Sequence, residues 1–141
     1  MRAAKLSASV LLVLSPLASM AANEVPIDKA LVGEWRGQHD AKPGCKFESH
    51  TIKRLPDGRF VISYFSDAAQ TRQVSEIKGL WWAADQTLFM QTPGSGNKPE
   101  TYRYYMVDRN TVRMENVDVD LSAECPDDST QVDTRVVMQQ D

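Results

Sequence analysis

Cysteine and histidine are scarce in this chain, and their scarcity limits the chemistry that it can perform. The 141 residues contain two of each. No His-Glu-x-x-His or Gly-x-Ser-x-Gly motif is present, and the cysteines do not form a Cys-x-x-Cys pair. Zinc proteases, serine hydrolases and thiol oxidoreductases are recognised by those arrangements. The sequence therefore predicts a protein that is not an enzyme, with no metal and no cofactor.

The histidines and acidic residues give little sign of a metal site. His39 is followed by Asp40, and Glu48 lies two residues before His50, which matches no zinc-binding motif. We interpret both as surface histidines beside solvated acids. A larger acidic group lacks the regular spacing and the turn glycine of a calcium loop, so it is predicted to form a solvated loop. Its members are Asp118, Asp120, Glu124, Asp127, Asp128 and Asp133.

Long apolar runs are absent except near the start of the chain. Arg2 and Lys5 precede a mostly apolar stretch at 10–17 and small residues at 19–22. This order is typical of a secretory signal peptide, and the apolar stretch is too short to span a membrane. We predict a signal peptide at 1–21, one mature domain at 22–141, export to the periplasm or the medium, and no membrane insertion after cleavage. A retained N-terminal anchor is the alternative.

Clustered positive charge is also lacking. Without the predicted leader, 14 basic and 19 acidic side chains leave a net charge of −5. Domains that bind nucleic acids instead carry grouped Lys and Arg. We therefore expect no nucleic-acid partner.

What the sequence does contain is strand alternation, in eight runs joined mostly by short turns. A helical turn is predicted at 27–30, and strands at 31–38, 45–55, 59–65, 72–83, 87–92, 101–107, 111–119 and 134–139. Lys53 and Arg54 interrupt both faces of the second run, which predicts a bulge or an exposed end. Eight antiparallel strands laid flat would leave two free edges, and closure removes them. The predicted fold is therefore all-β, an eight-stranded antiparallel up-and-down meander barrel, with a two-sheet sandwich as the alternative.

The residues expected inside this barrel are large and mostly apolar. They are Phe60, Ile62, Tyr64, Ile77, Trp81, Leu88, Met90, Tyr102, Tyr104, Met106, Val112, Met114, Val136 and Met138. Either they fill the core or they surround a narrow apolar pocket at one mouth, with tyrosine hydroxyls as its polar groups. The predicted ligand-binding residues of such a pocket are Tyr64, Trp81, Met90, Tyr102, Tyr104 and Met114. Trp82 points the other way, where it is either covered locally or exposed together with Leu80.

The first strand carries the most distinctive pattern. Gly33, Trp35 and Gly37 share one face, which predicts that neighbouring elements pack directly over the glycines. Gly33-x-Trp35, after a short helical turn, resembles the first-strand signature of the lipocalins.

Further along, Gly79-x-Trp81 and the Tyr102-x-Tyr104 strand are similar to small bacterial lipocalin-like domains of the calycin type. The resemblance implies that the first-strand Trp packs at the closed end of the barrel against a basic residue of the last strand. Arg135 is the candidate by position, and a guanidinium over an indole face is a favourable contact.

Three hypotheses follow for function. The leading one is an exported, non-enzymatic barrel that binds a small apolar or amphipathic molecule. The second is an interaction protein, an inhibitor or envelope-assembly factor, that binds a protein partner through its loops and outer face. An enzyme on the same barrel comes last, because no nucleophile, base or metal constellation is recognisable. A void in the interior favours the first, whereas a packed interior with Leu80 and Trp82 exposed favours the second.

Cys45 and Cys125 are predicted to form a disulfide, because disulfides are the usual state of cysteine pairs in exported proteins. Peptide mapping without reductant should recover them as one cross-linked pair, and two alkylatable thiols would contradict this. Their 80-residue separation means that the bond would restrict a long loop of the unfolded chain. Replacing both with alanine should lower the free energy of unfolding by about 2–4 kcal/mol without changing the fold.

Overall fold

The structure is a computed structural model that describes residues 24–94, 96–118 and 130–137. Within these ranges the chain forms a 3₁₀ helix at Lys29–Leu31 and eight strands. The strands are β1 (Gly33–His39), β2 (Glu48–Arg54), β3 (Arg59–Phe65), β4 (Gln73–Ala84), β5 (Thr87–Gln91), β6 (Glu100–Asp108), β7 (Thr111–Asn116) and β8 (Thr130–Arg135). The predicted leader at 1–21 lies outside the described residues and stays a prediction.

The eight strands form a closed barrel. Each pairs antiparallel with the next in chain order, and β8 pairs with β1 through Trp35 opposite Arg135. This confirms the predicted fold class and excludes the sandwich. In the part of the chain that the structure describes, no helix has the length and apolarity needed to cross a membrane.

One end of the barrel is filled by aromatic side chains. Trp35, Phe60 and Trp81 are at most 1% exposed. Both indoles find acceptors, since Trp35 Nε1 donates to Leu31 O and Trp81 Nε1 donates to Leu55 O, each at 3.0 Å. These bonds satisfy the polar atoms that burial would otherwise leave unpaired. We call this the closed end.

The segment before β1 lies against the closed end. Ala83 N donates to Pro26 O at 3.0 Å, and the hydroxyl of Tyr104 donates to Asp28 Oδ2 at 2.6 Å. Asp28 also caps the 3₁₀ helix by accepting from Ala30 N at 2.9 Å. This segment therefore seals that end of the barrel.

Arg135 joins the last strand to the first. Its Cζ lies 4.2 Å from the ring centroid of Trp35, as the lipocalin resemblance predicts. The guanidinium also donates to three backbone carbonyls: Nη1 to Val32 O and Nη2 to Ala30 O, both at 2.7 Å, and Nε to Arg109 O at 3.2 Å. A single cation therefore ties β8 to the N-terminal segment and to the turn before β7.

The glycines of β1 make room for side chains from neighbouring strands. A Cβ at Gly33, which also has a φ of +123°, would lie 2.8 Å from Arg135 Nη1. A Cβ at Gly37 would overlap the carboxylate of Asp133 and lie 2.8 Å from the ring of His50. The predicted close approach over these glycines is confirmed.

The prediction for the end of β2 is wrong. Lys53 is exposed, but Arg54 is only 1% exposed, and β2 pairs without interruption with both of its neighbours. Arg54 therefore continues the inward face of Ile52 instead of marking a bulge or a solvent-exposed end. The error came from reading every charged residue as outward.

The last strand begins four residues earlier than predicted. Asp133 is fully buried and Arg135 faces Trp35, whereas Thr134 between them is exposed. Val136 follows the strand and is half-buried, so its predicted place on the inward face of a 134–139 strand is wrong. Met138 lies outside the described residues.

Substitution of Trp35 and Arg135 should show that the two residues act together. Trp35→Ala should lower the free energy of unfolding by about 3–5 kcal/mol because it leaves a large cavity. Arg135→Ala should cost about 2–4 kcal/mol because it removes charged hydrogen bonds as well as the ring contact. Denaturant titration of the single and double variants should show that the losses do not add.

Arg109→Ala is the matched control for this cycle. Its side chain is exposed, and the carbonyl that accepts from Arg135 is kept, so its cost should stay within about 0.5 kcal/mol. Additive losses at Trp35 and Arg135 would contradict a direct energetic link between them.

Candidate ligand-binding site

A cavity of about 280 Å³ lies inside the barrel and opens at the end opposite Trp35. Its position follows from the strand ends that border it. His39 ends β1, Glu48 begins β2, Glu100 begins β6 and Asn116 ends β7. In an antiparallel barrel these four positions lie at the same end, which we call the mouth.

The walls of the cavity are chemically two-sided. The apolar part consists of Ile52, Ile62, Met90 and Met114. The polar part consists of His39, Glu48, His50, Arg54, Tyr64, Glu100, Tyr102, Asn116 and Gln131. The expectation of an apolar pocket is therefore wrong, since charged and amide groups line more of it than aliphatic ones.

Arg54 reaches the cavity from the opposite end of the barrel. Its backbone pairs with Gly33, at the start of β1 near the closed end, yet its side chain lines the cavity together with residues of the mouth. Nη2 lies 3.6 Å from the sulfur of Met114, a weak acceptor. Nε and Nη1 are buried and have no hydrogen-bond acceptor among the described residues. Arg54 thus belongs to the lining of the cavity and carries buried donors that no described residue satisfies.

Burial lowers the pKa of Arg54 to about 10, while the negative charge of Asp133 acts in the opposite direction. The guanidinium remains charged at neutral pH because this value is still well above 7. A buried cation is costly unless it has an anionic partner with good hydrogen-bond geometry.

Beside Arg54, a buried histidine and carboxylate form a pair across β1. His50 Nε2 lies 2.9 Å from Asp133 Oδ1, and Gln131 Nε2 lies 2.8 Å from each of them. The two side chains meet in the space that Gly37 leaves open. Asp133 Oδ2 is buried without a donor among the described residues.

The pKa of Asp133 is held below its usual range. Burial acts against ionisation, but the hydrogen bond with His50, the bond from Gln131 and the positive charge of Arg54 outweigh it. The carboxylate is therefore negatively charged over the physiological range, and it belongs to the interior rather than to a solvated acidic loop.

The tyrosines of the cavity stay neutral. Burial raises the pKa of Tyr64 to about 12, with the charge of Glu48 adding to the effect. Burial also raises the pKa of Tyr102, whose hydroxyl donates to Glu100 Oε2 at 2.8 Å. Both hydroxyls can therefore serve as neutral hydrogen-bonding groups near the mouth.

The structure brings together four of the six predicted ligand-binding residues. Tyr64, Met90, Tyr102 and Met114 line the cavity. Trp81 and Tyr104 do not: Trp81 is packed at the closed end, and Tyr104 is bonded there to Asp28.

The interpretation of His50 and Asp133 as solvated residues is wrong. His50 is 3% exposed and Asp133 is fully buried, so neither is a surface residue. His39 is half-buried and its ring centroid is 6.2 Å from that of His50. Among the described residues, no group of three or more His, Cys, Asp or Glu side chains is arranged to hold a metal ion.

Sequence reasoning also missed Arg54 and Gln131. Arg54 left one usable signal, because it occupies an inward position of the alternation in β2, two residues after Ile52. Gln131 left none, since the last strand was placed too late in the chain to include it.

The structure describes only one of the two cysteines of the predicted disulfide. Cys45 closes the short loop after β1, where its backbone pairs with Lys42, and it is not a free thiol. Cys125 lies outside the described residues, so the pairing stays a prediction.

Comparison with known proteins adds little. No protein-family model matches the chain, and no curated protein sequence matches it. A crystal structure of the lipoprotein YedD from Klebsiella pneumoniae is similar in fold, with a TM-score of 0.46 and 11% sequence identity over 82% of this chain and 81% of that one. At this identity and TM-score, the similarity supports no inference about function.

Asp133→Asn should destabilise the protein, because it removes the anion that faces His50 and attracts Arg54. The expected loss of unfolding free energy at pH 7 is about 3–5 kcal/mol, the usual cost of removing the anion that compensates a buried cation, here Arg54. Asp118→Asn is the control, since that exposed carboxylate contacts only the exposed Lys98 among the described residues, and its cost should stay within about 0.5 kcal/mol.

The difference in stability between wild type and Asp133→Asn should also depend on pH, in a direction set by the lowered pKa of Asp133. A carboxylate whose pKa is lowered on folding stabilises the native state above its unfolded pKa of about 4, and this contribution is lost as the pH falls through the folded value. The gap in stability between wild type and Asp133→Asn should therefore narrow below about pH 4. A gap that stays constant down to pH 2 would contradict a buried, ionised Asp133.

Proposed function

We propose that this protein is an exported, non-enzymatic barrel of the lipocalin-like type that binds a small amphipathic molecule inside its lumen. The observation that carries the proposal is the two-sided cavity, in which an aliphatic and thioether wall faces charged and amide groups. Ligand sites commonly combine apolar walls with a few convergent polar groups that fix the orientation of the ligand.

The size of the cavity limits the ligand. At about 280 Å³ it has roughly twice the volume of a cavity of about 150 Å³ that holds benzene. It therefore accommodates about a dozen non-hydrogen atoms. A short-chain or single-ring molecule fits this volume, and a long-chain lipid does not.

The apolar wall is adaptable. Met90 and Met114 contribute flexible thioethers, which adjust to ligands of different shape and make favourable contacts with aromatic rings. Tyr64 and Tyr102 add neutral hydroxyls at the level of the mouth. Such a lining suits a ligand with one apolar and one polar part.

Export and the lipocalin-like type are supported by the sequence. The proposed signal peptide at 1–21 would direct the chain to the periplasm or the medium. Gly33-x-Trp35 and its partner Arg135 supply the first-strand and last-strand features of the resemblance.

The interaction-protein alternative has weaker support. Leu80 is 55% exposed, as that reading requires. Trp82, however, is half-buried and stacks on Phe89 with ring centroids 5.4 Å apart, so the two residues do not form a single exposed patch.

Native mass spectrometry of protein purified from its own source should reveal a small retained molecule. Ile62→Trp should abolish retention because the indole would occupy the cavity that Ile62 lines. Val61→Trp is the matched control, since the adjacent residue of β3 faces the other way and its variant should retain the molecule.

Equal retention by both tryptophan variants would place the ligand outside the barrel and contradict the proposal. A retained protein in place of a small molecule would favour the alternative. Circular dichroism of both variants should confirm that the barrel is folded.

A further inference from the structure

We infer that the ligand is a small monocarboxylate, whose carboxylate accepts a hydrogen bond from an unpaired guanidinium donor of Arg54. This inference rests on the proposed function and adds the chemical class of the ligand. The starting observation is a buried cation with unsatisfied donors. Arg54 is 1% exposed, yet Nε and Nη1 have no acceptor among the described residues.

The neighbouring residues do not satisfy this cation. Nη2 has only the thioether of Met114, at 3.6 Å. Asp133 attracts Arg54 through its charge but forms no hydrogen bond with it: Oδ1 is bonded to His50 and Gln131, and Oδ2 has no donor among the described residues. Burial without an anionic hydrogen-bond partner is unfavourable for a guanidinium, and a ligand oxygen anion in the cavity would remove that penalty.

Among anions, the charges at the mouth disfavour a dianion more than a monoanion. Glu48 and Glu100 both line the cavity near its opening. They repel a doubly charged phosphate more strongly than a singly charged carboxylate. An edge of the planar guanidinium, either Nη1 with Nη2 or Nε with Nη2, also matches the two oxygens of a carboxylate, and each edge carries one of the unpaired donors.

The apolar wall of the cavity limits which group the ligand can carry besides its carboxylate. With its carboxylate on Arg54, the ligand would lay its apolar part against Ile52, Ile62 and Met90. The volume leaves space for about a dozen non-hydrogen atoms in total. A single aromatic ring on a short chain meets both conditions, and thioethers contact such rings favourably.

A series of four probes with the same phenylpropyl skeleton tests the charge requirement. Isothermal titration of the wild-type protein should show that 3-phenylpropanoate binds at least about 10-fold more tightly than 3-phenylpropan-1-ol. The corresponding amine and phosphate ester should both bind more weakly than the carboxylate. Ile62→Trp should abolish binding of every probe that enters the cavity.

Arg54→Met is the decisive variant, since it keeps an unbranched side chain but removes the donors. It should weaken 3-phenylpropanoate at least about 10-fold and leave the alcohol unchanged. Arg113→Met is the matched control, because Arg113 is an exposed arginine of β7 that pairs with Glu115, and its variant should bind both probes as the wild type does.

Each outcome has a separate meaning. If the alcohol binds as tightly as the carboxylate, or Arg54→Met keeps full affinity for the carboxylate, the inference is overturned while binding in the lumen stands. If the phosphate ester binds most tightly, the assignment to monocarboxylates is overturned. If no probe binds in a manner that Ile62→Trp blocks, the proposed function itself loses its support. The wild-type series decides alone if Arg54→Met does not fold.

Discussion

The barrel depends on the contact that closes it, the guanidinium of Arg135 over the indole of Trp35. The same guanidinium donates to three backbone carbonyls, which belong to the N-terminal segment and to the turn before β7. One cation thus satisfies these carbonyls and covers a buried ring at the closed end. The cavity of about 280 Å³ opens at the other end of the barrel.

The two inward arginines differ in how well they are satisfied. Arg135 has all three of its nitrogens bonded to carbonyls and retains some contact with solvent. Arg54 is more deeply buried and has only a sulfur within reach among the described residues. A residue that only stabilises the fold is expected to resemble Arg135. The contrast is why we associate Arg54 with binding rather than with structure.

Alternation and turn chemistry were sufficient to predict the architecture. The run at 59–65 coincides with β3, and the face shared by Gly33, Trp35 and Gly37 led to the observed packing over β1. The cavity was harder to predict because its key groups are charged. Period-two patterns assign charged residues to solvent, so Arg54 and Asp133 were placed outside the interior.

Local sequence patterns cannot predict contacts between residues that lie far apart in the chain. His50 and Asp133 are 83 residues apart, and their contact depends on the register of β8 beside β1 and on the missing side chain at Gly37. The bounds of β8 were misjudged because apolar residues after Arg135 resemble a continuing strand. Only the closed sheet, in which β1 lies between β2 and β8, brings the two side chains together.

The position of the N-terminal segment determines how the barrel would be oriented if the protein were attached to a surface through that segment. Residues 24–28 lie at the sealed end, held by the bonds from Ala83 and Tyr104. A linker joined ahead of residue 24 would leave from that end, and the opening bordered by Glu48 and Glu100 would point away from the surface to which the linker is attached. Immobilisation through the N-terminal side thus keeps the lumen accessible to solutes, whereas attachment near the loop between β5 and β6 would crowd it.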